Sequence, residues 1–132
     1  MVVSATRSLA GASRVLINMA LRREFDLLLS VPLSFEYESV LKRAAQMEVS
    51  GWSVESAEDL LASLMKVAVE VELEEYLGPR SSDPGDNHIL SLAFHGRADA
   101  IVTFNTRHFI QPARMMGVEL VTPAEAVGVL RR

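Results

Sequence analysis

The chain has no cysteine, which excludes disulfides, thiolate zinc sites and thiol nucleophiles and makes the cytosol the expected compartment. Long apolar runs are also missing. No stretch approaches the roughly 18 to 20 consecutive apolar residues of a membrane span, and Met1-Val2-Val3-Ser4 lacks the basic and apolar regions of a signal peptide. A soluble, cytoplasmic protein without membrane contact is expected. Positive charge is in short supply: 13 Lys and Arg stand against 17 Asp and Glu, for a net charge of −4. That balance argues against a general nucleic-acid coat and leaves room for a local basic rim. Repeats, linkers and low-complexity segments are absent too. What the chain does have is apolar content, 49% of its 132 residues. This is enough for one domain with a real core and too little for two, so a single domain over residues 1–132 is expected.

The stretch that organises the rest is Asp83-Pro84-Gly85-Asp86-Asn87-His88, followed by the apolar run Ile89 to Phe94 and by Ala98 to Asn105. Asp83 suits a helix N-cap, Pro84 the first helical position, and Asp86 completes a variant of the capping box. Two carboxylates thus crowd one helix start. Gly96 is the expected terminator, and Ile101-Val102-Thr103 reads as a short buried strand.

Elsewhere, residues 1–11 are open to reading as strand, helix start or loop. Ser13 is the expected N-cap of a helix carrying Val15, Leu16, Met19 and Ala20, closed by Arg22-Arg23. Phe25 to Ser30 reads as a buried strand, and Pro32 opens a helix through Leu33, Tyr37, Val40, Leu41 and Ala44. A third helix starts near Ser53 with Trp52 as a packing residue before it. Val69, Val71 and Leu73 alternate with Glu70, Glu72 and Glu74, the pattern of an edge strand with one wet face. After Thr103 come a short piece around Arg107-His108-Phe109, a break at Gly117 and a strand over Val118–Val121. Thr122-Pro123-Ala124-Glu125 is a capping box that starts the last helix.

Strands alternating with helices, and lacking a polar face, imply an α/β fold with a mostly parallel sheet covered by helices. Ligands in such folds bind outside the carboxyl ends of the strands. Glu36, Asp83, Asp86 and Asn105 all fall on that edge, each in the segment after a strand. Carboxylates with an amide and no thiolate suit Mg²⁺ or Mn²⁺, which can activate water and brace a phosphodiester. Capping accounts for Asp83 equally well, and a solvated helix face is the plain reading of Glu36. Thr103 and Ser30 can orient ligands at strand ends, and Arg107 can meet a phosphate. His88 and His95 are too far apart in the helix to share one ion. Together with His108 they read as surface or half-buried histidines.

Val3 to Ser8 with Gly11-Ala12-Ser13, Leu28 to Leu33 with Glu36 to Arg43, Asp83 to Asn87, Ala98 to Asn105 and Thr122 to Glu125 follow one another in the order and spacing of a known family. In these the chain resembles the PIN-domain family, in particular the bacterial PIN proteins of toxin-antitoxin systems. The resemblance implies a three-layer sandwich around the sheet, and a Mg²⁺- or Mn²⁺-dependent ribonuclease acting on RNA. It further implies silencing by a small antitoxin and a homodimer. Glu36, Asp86 and Asn105 then carry over as catalytic residues, Asn105 at a position where many relatives have an aspartate, and Glu36, Asp86 and Asp83 as metal ligands. Thr103 and Arg107 follow as substrate-binding residues. The family's first strand and its aspartate have no counterpart before Val3. Residues 1–5 are expected to take that strand's place, unless a partner chain fills it or a coding start upstream of Met1 restores it. With one carboxylate fewer the metal is expected to be weakly bound or absent, and the alternative is a degenerate PIN fold that binds antitoxin or RNA without cleaving it.

Overall fold

The computed structural model describes residues 2–4, 11–46 and 53–132, with side chains for 11–43 and 53–132. Trp52 and the segment 5–10 lie outside the described residues, as do Met1 and Ala5 of the expected first strand. Among the described residues, five short strands and six helices follow one another as β1 (Val2–Ser4), α1 (Ala12–Leu21), β2 (Leu28–Leu29), α2 (Val31–Gln46), α3 (Val54–Val67), β3 (Val69–Glu70), α4 (Asn87–His95), β4 (Ala100–Val102), α5 (Ile110–Met116), β5 (Glu119–Val121) and α6 (Pro123–Leu130). The fold is α/β, and every strand pair is parallel. One sheet has the order β1-β4-β5, with Val3 opposite Ile101 and Ile101 opposite Leu120. The other joins β2 to β3, with Leu28 opposite Val69. β1 also lies alongside β2, so Val2–Ser4 stands between β4 and β2, the place expected for the leading residues.

α4 lies against β1 and β2 and touches α2 and α5. Ile89, Leu90, Ser91, Leu92 and Ala93 are all buried in it, so this helix is core on every side. Leu28, Leu33, Ile101 and Phe109 complete the largest apolar cluster. Away from that cluster, α1 packs on α3 and α6, and α2 on α3. Among the described residues, no helix is long and apolar enough to cross a membrane.

Several boundaries differ from the sequence expectation, each for a local reason. The strand expected over Phe25–Ser30 is cut to Leu28–Leu29. At its start the chain turns through Arg23 at φ 59°, and at its end Ser30 already belongs to α2, its hydroxyl accepting from the Leu33 N–H at 3.3 Å and its carbonyl from the Ser34 N–H. The alternating Val69–Leu73 segment shortens in consequence. Val71 N–H donates to Leu29 O at 2.8 Å, and beyond that β2 offers no further backbone. Ser13 does not cap α1. Gly11, at φ 58°, holds the N-cap position, and Ser13 is inside the helix with a buried hydroxyl that has no partner. Asp83 caps as expected, but the element it caps is a 3-10 turn over Pro84–Asp86, with the Gly85 N–H donating to Oδ1 at 2.9 Å. Asp86 makes no side-chain cap to α4, which leaves its carboxylate for other partners. The box at α6 is present in full: Glu125 N–H donates to Thr122 Oγ1 at 3.3 Å and Thr122 N–H to Glu125 Oε1 at 3.0 Å.

Gly96 ends α4, though through close approach and not through a left-handed conformation, which Arg97 takes instead at φ 53°. A Cβ at Gly96 would lie 2.6 Å from Leu28 Cδ1 and 2.9 Å from the Leu92 carbonyl oxygen. Gly96→Ala is therefore expected to destabilise the protein by about 1–3 kcal/mol in chemical denaturation, the usual range for overpacking; an unchanged midpoint would contradict the packing described. A second expectation concerns pH. The Thr122 backbone N–H, and after it the Thr122 hydroxyl, hold the Glu125 carboxyl below its ordinary value of 4.5. A depressed folded-state value means the contribution is present above about 4.5 and lost as pH falls through the lower value. Glu125→Ala should lower the melting temperature at neutral pH, and the gap to the wild type should close in acid.

Candidate metal centre

The carboxyl ends of the parallel strands point the segments after them to one edge, and two of these segments are tied together there. After β4 the buried Thr103 still belongs to the sheet, its N–H donating to Val121 O at 3.0 Å. Its hydroxyl accepts from the Asn105 N–H at 3.1 Å. The chain then winds into a 3-10 turn over Thr106–His108, in which His108 N–H donates to Asn105 O at 3.3 Å and Phe109 N–H to Thr106 O at 2.9 Å. Phe109 is buried, so the turn carrying His108 is anchored in the core.

The facing segment is the loop before α4. Its Ser81 N–H donates to Asn87 Oδ1 at 2.8 Å. The Ser81 hydroxyl accepts from Asp83 N–H and donates to His108 O, both at 3.1 Å. One hydroxyl thus joins the acidic loop to the histidine turn. The result is a group of three, Asp83, Asp86 and His108, whose potential ligand atoms all lie within 4.8 Å of one another. Asp83 is exposed, His108 half-buried, and Asp86 only 5% exposed. Asp86 Oδ2 is 3.3 Å from His108 Nδ1. A buried carboxylate needs a donor or a cation close by, and the imidazole meets that need in part.

Glu36 lies outside this group of three. It projects from α2 to meet the first turn of α4, where its Oε1 is 2.9 Å from His88 Nε2. His88 Nδ1 is buried and has no hydrogen-bond partner among the described residues. The pair ties α2 to the helix start that holds Asp86. Asn105 supports the centre through its backbone, as acceptor for His108 N–H, and its side chain is exposed. Arg107 is exposed on the same turn as His108, Thr103 is buried beneath Asn105, and Ser30 is engaged in capping α2. The residues that sequence reasoning missed are His108 and His88. Both are half-buried, as expected; spacing along one helix, which tests only His88 against His95, does not reveal that His88 and His108 each meet an acid from another element. The available signal was position: His108 follows the end of β4, on the edge where Asp86 lies. His95 is elsewhere, stacked edge-on with Tyr76 and Phe94.

Two carboxylates and an imidazole at these separations are a fitting donor set for a divalent cation. The nitrogen suits Mn²⁺ or a later transition metal better than Mg²⁺, whose preferred ligands are all oxygen.

With the strand order and this centre established, comparison with known proteins is direct. The PIN domain family model matches residues 1–107, and the chain belongs to that family. The match spans β1 through the turn after β4 and stops one residue before His108. No curated protein and no solved structure gives a significant match. PIN domains have a nuclease-type fold and generally use divalent metals, and the group around Asp86 is where this chain has residues to hold one.

Proposed function

We propose that the chain is a metal-dependent ribonuclease of PIN type, the toxin component of a toxin-antitoxin pair. The observation that carries this reading is the convergence of Asp83, Asp86 and His108 at the carboxyl ends of the strands in a PIN domain. Two β-strand sets lying side by side under their helices support a three-layer sandwich, folded as one domain, with the active edge open to solution. A bound divalent cation there supplies charge neutralisation at a phosphodiester and a water of lowered pKa.

The chain's own residues divide the remaining work. Asp86, buried and fixed by α4, is the ligand whose position is best defined; Asp83 and His108 close the set from the two joined loops. Glu36, held by His88 at the first turn of α4, acts through water. Asn105 and Thr103 orient groups at the end of β4, and Arg107, exposed on the histidine turn, meets substrate phosphate. RNA is the substrate, an antitoxin the covering partner, a homodimer the working unit and the cytoplasm the compartment in this proposal.

Mn²⁺-dependent cleavage of a single-stranded RNA should be lost in Asp86→Ala, by more than the roughly 10–100-fold that removal of an outer-shell partner brings. Cleavage unchanged by that substitution would refute the assignment. His108→Ala should weaken Mn²⁺ binding, read by electron paramagnetic resonance without any substrate, by at least about tenfold, and Mg²⁺ binding by less. Equal losses for both ions would remove the imidazole from the ligand set. Two observations favour the second reading, a binding module without catalysis: Glu36 is already engaged by His88, and Asn105 brings no charge. Calorimetry that finds no Mn²⁺ binding, in a protein that still captures RNA or its antitoxin, decides for that reading.

A further inference from the structure

A second set of acids has a different geometry from the metal centre. Glu70, Glu72, Glu74 and Glu75 are strung along β3 and the segment after it, and all four are exposed. Among the described residues none of them forms an ion pair. β3 pairs with β2 alone among the described strands. Its Val69 and Val71 N–H groups donate to Leu27 O and Leu29 O, each at 2.8 Å. Alternate residues of an extended chain turn their backbone groups to opposite edges, so Glu70 and Glu72 direct theirs away from β2, to an edge where hydrogen-bonding capacity is open. Beside it Val31, at the start of α2, is 60% exposed. Val31, Pro32, Val71 and Leu73 line a groove of ≈ 640 Å³ together with Glu70 and Glu72.

We infer that this edge is a docking site for an extended segment of another protein in which basic and apolar residues alternate, added as a strand beside β3. Three features specify that occupant. Outward backbone groups recognise an extended main chain, as in other cases of strand addition. The alternation of Glu with Val and Leu requires the same period in the partner, because neighbouring strands place their side chains on shared faces: Lys or Arg beside Glu70 and Glu72, apolar side chains in the groove. The uncompensated charge selects the sign. A second copy of the chain is a poor occupant, since β3 against β3 sets glutamate against glutamate, and nucleic acid is repelled for the same reason. The inference is independent of whether the metal centre is catalytic.

The test uses three labelled octapeptides: alternating Lys-Val, alternating Glu-Val, and four Lys followed by four Val. Fluorescence anisotropy should show binding of the alternating basic peptide, weaker as salt rises, with backbone NMR shifts gathered at residues 69–73 and 31–35. Glu70→Lys with Glu72→Lys, at exposed positions that leave the β2 ladder intact, should weaken that peptide by about tenfold or more and admit the acidic one. Equal binding of the block peptide would reduce the effect to net charge and overturn strand addition. So would shifts mapping elsewhere, an unaltered affinity in the double variant, or no binding up to about 1 mM.

Discussion

Because Ile89, Leu90, Leu92 and Ala93 are all shielded from solvent, α4 has neighbours on every side and no direction in which to slide. Its apolar surface is satisfied only where β1, β2, α2 and α5 surround it. That burial fixes the helix start in space, and with it Asp86, which ends the 3-10 turn leading into α4. A carboxylate at such a place cannot retreat into water. The fold must bring a donor or a cation to it, and the turn after β4, pinned by buried Phe109 and joined by the Ser81 hydroxyl, brings His108. The candidate metal centre is in this sense a consequence of core packing: a buried helix holds an acid in place, and two loops close over it.

The shortness of the strands follows from a similar economy of partners. β2 has two residues because α2 begins at once, capped by Ser30, and β3 stops where β2 stops. What this gives the site is position. An early start to α2 sets Glu36 within reach of the first turn of α4, where His88 receives it at 2.9 Å. A longer β2 would carry Glu36 outward by about 3.3 Å for each residue added and separate the pair. The same truncation leaves the segment after β3 without a ladder to β2, and its glutamates are exposed.

How much of this was readable in the sequence depended on the range of the interaction involved. The Thr122–Glu125 box was legible because both of its bonds lie within four residues, and so was the Ser53 cap, whose hydroxyl accepts from Ser56 N–H. The α/β alternation was legible because buried strands and amphipathic helices carry different periods. That the leading residues serve as a strand was one of the ways expected for the sheet to be filled, beside a partner chain or an upstream start, and Val2–Ser4 does pair with β4. Strand ends were not legible, since they are set by turns elsewhere: nothing in Val69–Leu73 itself tells that its partner ends at Leu29. Asp86 was assigned to capping and ligation together, and only the geometry shows that it caps nothing. His108 and His88 were missed for the most physical of reasons, that their partners are 22 and 52 residues away.

The distribution of acids shows how geometry, and not composition, separates two tasks. Asp83 and Asp86 are brought together with an imidazole at a place where one of them is buried, so their repulsion has to be offset locally and a cation is the natural complement. Glu70, Glu72 and Glu74 alternate in sequence with the half-buried Val71 and Leu73, all three exposed, and water screens each of them. Repulsion at that spacing is mild, and it acts mainly on what approaches from outside, keeping a like edge away and drawing a basic one. A net charge of −4 therefore says little about whether such a protein handles a polyanion. The acids that would repel a nucleic acid are spread along β3 and the segment after it, while those at the strand ends are gathered with an imidazole, where a bound cation would offset their charge.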